Sequence, residues 1–310
     1  MHWNNGKVLK DYWNDAVIKL TETFGADNVF VSVFESGSWD DSKDVLRDLD
    51  RELEKRNVPR RVEVSETTHY DEISKPDKDR GEGWIDTARG KRELRRIPYL
   101  ARLRNKTIQD LIELSKEGIT FDKVLFLNDV VFTTEDVLTL LDTNGGNYAA
   151  ACSLDFSKPP LYYDTFALRD IEGKSHIMQT WPYLRARDSR NPLVDHMDAV
   201  PVTSCWNGIV VMPAEPFVSS TQLRFRAVPD SLAAHHLEGS ECCLIHADNP
   251  LSRSKGVYLN PRVRVGYNYP AYAATHPTAK AWVSALDIFT GLWINRIKRW
   301  TIWTPEKWVR

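Results

Sequence analysis

The chain has 310 residues, 42% of them hydrophobic, enough for one large α/β domain or two small ones. Its 41 Lys and Arg stand against 43 Asp and Glu, so no global field draws nucleic acid or an acidic membrane, and any polyanion site must be local. No uncharged apolar run reaches the roughly 18 residues that a membrane span needs, and no secretory signal pattern opens the chain.

Residues 1–27 read as a helical or stem segment. The run from Asn28 to Phe34 reads as a buried strand, followed by a polar turn at Glu35, Ser36, Gly37 and Ser38. Asp41 or Ser42 then caps a helix with Val45, Leu46, Leu49 and Leu53 on one face, and residues 61–65 alternate as a second strand. Strand, turn, helix, strand is a βαβ opening. Residues 75–96 are densely charged and contain Gly81, Gly83 and Gly90, which suits a solvated, mobile loop; the sharper alternative is a lid over an anionic ligand. Pro98 fits the first turn of a helix through Leu100, Leu103, Ile108, Leu111, Ile112 and Leu114. That helix carries Arg102, Arg104 and Asn105, and it encloses the glycosylation sequon Asn105-Lys106-Thr107, a poor context for a glycan.

An apolar strand from Val124 ends at Asn128-Asp129, and Thr133 to Asp136 opens a further helix. Asn144-Gly145-Gly146 turns into a strand ending near Cys152. Residues 159–198 are aromatic, irregular and proline-containing, as in long loops that carry a site. Residues 200–212 read as one strand broken at Asn207-Gly208, and 255–267 as a late strand. The tail from Ala281 is rich in Trp and Ile, with Trp282, Trp293, Trp300, Trp303 and Trp308 alternating with Arg296, Lys298 and Arg299. Core packing is the favoured reading of that tail; a surface meeting a membrane or glycan is the alternative. Cys152, Cys205, Cys242 and Cys243 lack CxxC spacing, so they are buried thiols or, in an oxidising lumen, disulfide partners.

Four constellations carry chemistry. A buried strand stopping at Asp129 delivers a carboxylate to a sheet edge, where α/β enzymes keep ligands and where a metal can neutralise a departing diphosphate. In residues 238–248, Glu241 faces a sugar and His246 completes a manganese shell, or Ser240 and Glu241 simply begin a helix. In residues 204–208, Trp206 offers a stacking face and Asn207 an amide, while Gly208 marks close approach of a ligand or of backbone; a core Trp beside a bulge is the plain alternative. In residues 162–170, aromatics interleave with Asp164, Arg169 and Asp170, suiting hydroxyl recognition or a self-paired turn.

The segments ACSLDF at 151–156, YDTFALRD at 163–170, SCWNG at 204–208 and SECCLIHAD at 240–248 stand in the order found in the cryptococcal α-1,3-mannosyltransferase family, which includes the fungal capsule-associated mannosyltransferases. FVSVFESGS at 30–38 and YLARLRN at 99–105 also resemble it. The resemblance implies a single Rossmann-like α/β domain of GT-A type over 28–270, with a mixed central sheet flanked by helices and the Trp-rich extension 271–310 packed on it. It implies retaining transfer of mannose from GDP-mannose to a mannose-containing oligosaccharide or polysaccharide, with manganese or another divalent cation. The setting would be polysaccharide biosynthesis in the Golgi lumen behind a type II membrane anchor, with no nucleic-acid partner. Another sugar donor, or an inactive glycan-binding protein on the same fold, is the alternative. Carried onto this chain, Glu241 and Asp164 are catalytic. Glu35, Ser36, Arg104, Asn105, Asn128 and Asp129 bind donor. Asp155, Arg169, Trp206, Asn207 and Gly208 bind sugar or acceptor, and Asp129 and His246 bind metal. One departure is visible: Leu127 stands where a DxD motif has its first Asp.

Overall fold

The computed structural model describes residues 1–87, 89–235, 237–278 and 281–301. Its chain opens with three consecutive helical segments, Gly6–Val8, Leu9–Trp13 and α1 (Asn14–Phe24). Leu9, Trp13, Val17 and Leu20 recur at helical spacing and are all buried. They share one core with Val33 of β1 (Val31–Glu35) and with Val45, Leu46, Leu49 and Leu53 of α2 (Ser42–Lys55). The opening segment, read from sequence as helical or stem, is helical and packs as a layer against β1 and α2. Asp41 stands at the N-cap of α2, yet Asp40 Oδ1 is the group that accepts the Ser42 N–H, at 3.0 Å. β1 pairs in parallel with β2 (Arg60–Val64), which completes the expected βαβ unit as a two-stranded sheet of its own.

Residues 75–96 hold a short antiparallel hairpin, Trp84–Asp86 with Arg92–Leu94, rather than a plain loop. The buried Arg95 fastens its exit by pairing with Asp230 (2.5 Å) and Glu238 (2.8 Å). Helix α3 (Arg96–Lys116) follows. Then comes β3 (Lys123–Leu127), and α4 (Thr134–Leu141) starts in a reciprocal capping box between Thr133 and Asp136.

The main sheet is seven-stranded and mixed. Its order is β3, β6 (Ile209–Pro213), β4 (Ala150–Lys158), β7 (Val257–Gly266), β5 (Val200–Ser204) and the short strand Arg169–Asp170, with Leu161–Tyr162 added on β4. β6 runs antiparallel to both β3 and β4, whereas β7 is parallel to β4, so β3, β4 and β7 point the same way. This helix-flanked mixed sheet is the Rossmann-like α/β domain that the sequence implies. The broken strand at 200–212 is resolved differently: its halves occupy separate places in the sheet, β5 beside β7 and β6 between β3 and β4.

A disulfide joins Cys152 on β4 to Cys205 at that break, leaving Cys242 and Cys243 as thiols. The tail is helical as α6 (Ala285–Thr301), and Trp282 packs edge-on against Phe156, with ring centres 5.4 Å apart. Trp293 and Trp300 are exposed, against the favoured core reading, while Trp303 and Trp308 lie outside the described residues.

The disulfide closes a loop spanning 53 positions, for which chain entropy gives roughly 4 kcal/mol as an upper figure. A Cys152→Ser, Cys205→Ser double variant should therefore unfold at clearly lower denaturant, and reductant should shift the parent toward it. Equilibrium unfolding with and without reductant measures this; an unchanged midpoint would show that the bridge contributes nothing to stability.

Candidate active site

Because β3, β4 and β7 run together, their carboxyl ends meet along one edge, where open α/β sheets bind ligands. Asn128-Asp129 ends β3, Asp155 sits near the end of β4 opposite Val265, and Tyr267 follows β7. Asn128 N donates to the Gly208 carbonyl at 3.0 Å, and the Val130 N–H folds back to the Asn128 carbonyl at 2.9 Å. That tight turn presents Asp129 half-buried at the edge. The Asn128 carbonyl also accepts Trp13 Nε1–H at 2.9 Å, so the opening helical segment braces the site directly.

The Cys205–Gly208 interruption supplies the other wall. Trp206 is almost wholly buried; its Nε1–H donates to Asn128 Oδ1 at 3.2 Å and its ring meets Phe126 and Phe225. It is a core residue that fixes Asn128, not an open stacking face for a sugar. Asn207, fully buried at φ 44°, donates through Nδ2 to Asp155 Oδ1 (2.9 Å) and to the Asp164 carbonyl (3.3 Å). Gly208 has φ 94°, and a Cβ there would come within 2.5 Å of Val265 Cγ2. Close approach to this chain's own sheet, not to a ligand, is what requires the glycine.

Arg104, on α3, lies with its guanidinium carbon 4.4 Å from the centre of the Trp206 ring and donates through Nε to Glu241 Oε1 at 3.1 Å. Burial opposes the arginine's charge, but Cys242, Glu241 and Asp164 nearby more than offset this and raise its pKa. Glu241 opens α5 (Glu241–Asp248), where Ser240 Oγ accepts the Cys242 N–H. Glu241 therefore starts a capped helix, as the plain reading has it, and it is 2% exposed in a buried ion pair with Arg104 at the edge. Asp164 is half-buried, with Oδ1 accepting the N–H groups of Phe166 and Ala167. The adjoining Asp155 is held by Asn207, by the Asp164 N–H (3.1 Å) and by the Tyr267 hydroxyl (3.2 Å). Burial first, and then the Asp164 charge, push Asp155 up to about 7. Tyr267, not singled out from sequence, completes this group; its only signal was its place at the end of a late strand.

The remaining candidates fall elsewhere. Asn105 bonds Phe225 twice, through Nδ2 to its carbonyl (2.8 Å) and through Oδ1 from its N–H (2.9 Å), so it anchors Phe225 against Trp206 rather than reaching a donor. Arg169 Nη1 donates to its own neighbours' carbonyls, Leu168 (2.8 Å) and Thr165 (3.4 Å), and joins no ion pair among the described residues. Glu35 is fully buried, with Oε1 accepting the Ser38 N–H and Oε2 without a partner among the described residues; Ser36 Oγ meets the Tyr99 hydroxyl at 2.9 Å.

His246 does not join Asp129. Its Nε2 donates to the Cys205 carbonyl at 2.7 Å, and its buried Nδ1 has no partner among the described residues. The group it forms with close ligand atoms is Cys152, Cys205 and His246, and those two sulfurs are bonded to each other. Asp129 is thus left as a single carboxylate, and the expected Asp129–His246 shell does not fit a manganese ion. Burial lowers the His246 pKa to about 4, against which the Cys205 bond works only partly. A lowered folded-state value means stability that is present above pH 6.5 and lost as pH falls through about 4. Asp155 runs oppositely: its raised value favours the fold below about pH 4 and loses that contribution as pH rises through about 7. His246→Gln keeps a donor for Cys205 and does not titrate. The parent's stability relative to this variant should fall by roughly 2 kcal/mol between pH 7 and pH 4.5. Denaturant unfolding at both values checks this; a pH-independent difference would mean the ring is not buried as a neutral base.

A family model described as Cryptococcal mannosyltransferase 1 matches residues 1–248, which takes in β1 to β6, α5 and every residue of the edge except Tyr267. No curated protein matches the chain. The match covers most of the sequence and coincides with the carboxylate-lined edge, and on that ground the chain belongs to the cryptococcal mannosyltransferase 1 family: it is a glycosyltransferase of the mannosyl-transferring kind.

Proposed function

We propose that this chain transfers mannose from GDP-mannose to a mannose-containing glycan, with retention of anomeric configuration. The observation that carries the reading is the Arg104–Glu241 pair seated on Trp206, at the same edge as Asp129 and Asp164. Arg104 spends only Nε on Glu241; among the described residues its two terminal nitrogens make no hydrogen bond. They form an open fork that suits two diphosphate oxygens, a geometry that Lys does not reproduce. The unpartnered, buried Glu35 Oε2 beside Ser36 is a fitting acceptor for the N–H groups on the edge of guanine.

When the diphosphate leaves, positive charge develops on the sugar. Carboxylates preorganised in a partly dry site stabilise that charge without reorganising. Asp164 is the more accessible of the two candidates and is oriented by backbone N–H groups; Glu241 acts from its buried pair with Arg104. Burial and the neighbouring Asp164 charge raise Asp155 to about 7, so it is the less readily charged member of the group. Asn128, Trp206, Asn207 and Gly208 position these groups, and Asp155 accepts the Asp164 N–H. A divalent ion at Asp129 would draw most of its oxygen ligands from diphosphate and water, and no step here is routed through it. Retention and the α-1,3 linkage rest on the family likeness. The Cys152–Cys205 disulfide supports an oxidising lumen such as the Golgi, where a type II anchor would hold the enzyme.

Arg104→Ala should raise the apparent Kd for GDP-mannose about tenfold or more, since charge-assisted hydrogen bonds contribute roughly 1.5–3 kcal/mol, and Arg104→Lys should recover only part. Glu241→Gln should leave that Kd within a few-fold but cut turnover by about a hundredfold. Calorimetric titration and release of GDP distinguish the two. Parent-like affinity in Arg104→Ala, or parent-like turnover in Glu241→Gln, would remove the residue concerned from its role.

A further inference from the structure

Helix α6 is inverted relative to an ordinary surface helix. Its buried positions are Gly291 and Asn295, with Asn295 Nδ2 donating to the Leu184 carbonyl at 3.1 Å. Gly291 is required there, since a Cβ would stand 2.4 Å from the Trp181 carbonyl oxygen. The opposite face carries Leu286, Phe289, Trp293, Ile297 and Trp300, exposed by 70%, 63%, 46%, 50% and 72%. At 100° per residue these five fall within one narrow arc, centred opposite Asn295. The helix is formed, not frayed: Ser284 and Asp287 cap one another reciprocally. A continuous stripe of large apolar side chains facing water marks an interaction surface.

The charges around the stripe indicate what it meets. Arg296 borders it, 5.0 Å from the Trp293 ring centre, and toward the docked side Arg299, whose Nε donates to Asn295 Oδ1 at 2.9 Å, lies near Arg190, whose pKa is lowered by burial and then by the charges of Arg299 and Arg187. None of these four arginines is in an ion pair among the described residues. The acidic residue of the helix, Asp287, is at its far end, engaged in the cap. A second copy docked stripe to stripe offers these cations no acidic side chain of the helix other than Asp287, which its own cap engages. A phospholipid surface with anionic headgroups instead accepts Trp and Phe at its boundary and pairs with the arginines.

We infer that α6 is an interfacial helix, laying the stripe Leu286–Phe289–Trp293–Ile297–Trp300 onto an anionic phospholipid surface while Gly291 and Asn295 fasten it to the domain. The test is co-flotation of the full chain with vesicles of neutral phosphatidylcholine, or of phosphatidylcholine containing about a third phosphatidylserine, at physiological salt. The stripe is probed with a Phe289→Asp, Trp293→Asp variant, and the charge with Arg296→Glu. The parent should float with the anionic vesicles, less with the neutral ones. The double variant should lose flotation at least tenfold with an unchanged Tm, and Arg296→Glu should lose the preference for anionic vesicles. If the double variant does not fold, Trp293 fluorescence in the parent serves instead, and should shift to the blue on adding anionic vesicles. Parent that stays in solution, flotation unaffected by the double variant, or a dimer that this variant dissolves in the absence of lipid would each overturn the inference.

Discussion

The site depends on one interruption of the sheet. Between β5 and β6 the chain must cross from one side of β7 and β4 to the other, and it does so over Cys205–Gly208. Asn207 and Gly208 both take positive φ there, which few residue types tolerate without cost. Each member of the crossing fixes a neighbour. Trp206 holds Asn128 and carries Arg104; Asn207 holds Asp155 and the Asp164 backbone; Cys205 is bonded to Cys152, and its carbonyl accepts the His246 Nε2–H. Trp206, Asn207 and Cys205 are buried, and each is bonded to another side chain at or beside the candidate edge.

That arrangement explains the uneven fit between residue type and role. Asp129 and Asp164 lie half-open at the edge, able to meet a ligand. Trp206, Asn207 and Gly208 look like sugar-contacting residues in composition but sit inside. Their work is preorganisation, which fixes where charge is held before a donor arrives. Asp155 shows what that burial does to a carboxyl: desolvation, and then the Asp164 charge, raise it to about 7.

Much of this was legible in the sequence, for physical reasons. Apolar runs located β1 and β3, alternation located β2, the spacing of Val45, Leu46, Leu49 and Leu53 located α2, and a strand stopping at Asp129 located the edge. What periodicity does not carry is satisfaction. Asn105 reads as a polar residue near a cationic helix start, and only the path of residues 223–228 shows that Phe225 consumes both ends of its amide. His246 reads as a metal ligand until the Cys205 carbonyl and the disulfide are placed against it. The opening segment reads only as helical or stem because the partners of its buried face, Leu9 to Leu20, lie further along the chain. In α6 the pattern itself misleads, since its apolar arc is as regular as that of a core helix but faces outward.

If mannosyl transfer takes place at this edge, with Asp164 as its accessible carboxylate, removing that one charge stops it. The most direct measurement compares parent with Asp164→Asn, which keeps the Oδ1 acceptor for Phe166 and Ala167 and removes the charge. Each protein is incubated with GDP-mannose and a mannose oligosaccharide, with GDP release and product extension followed together. Parent should do both, and Asp164→Asn, with the parent's Tm, should do neither above about one hundredth of the parent's rate. A folded Asp164→Asn that extends the acceptor at the parent's rate would contradict the account.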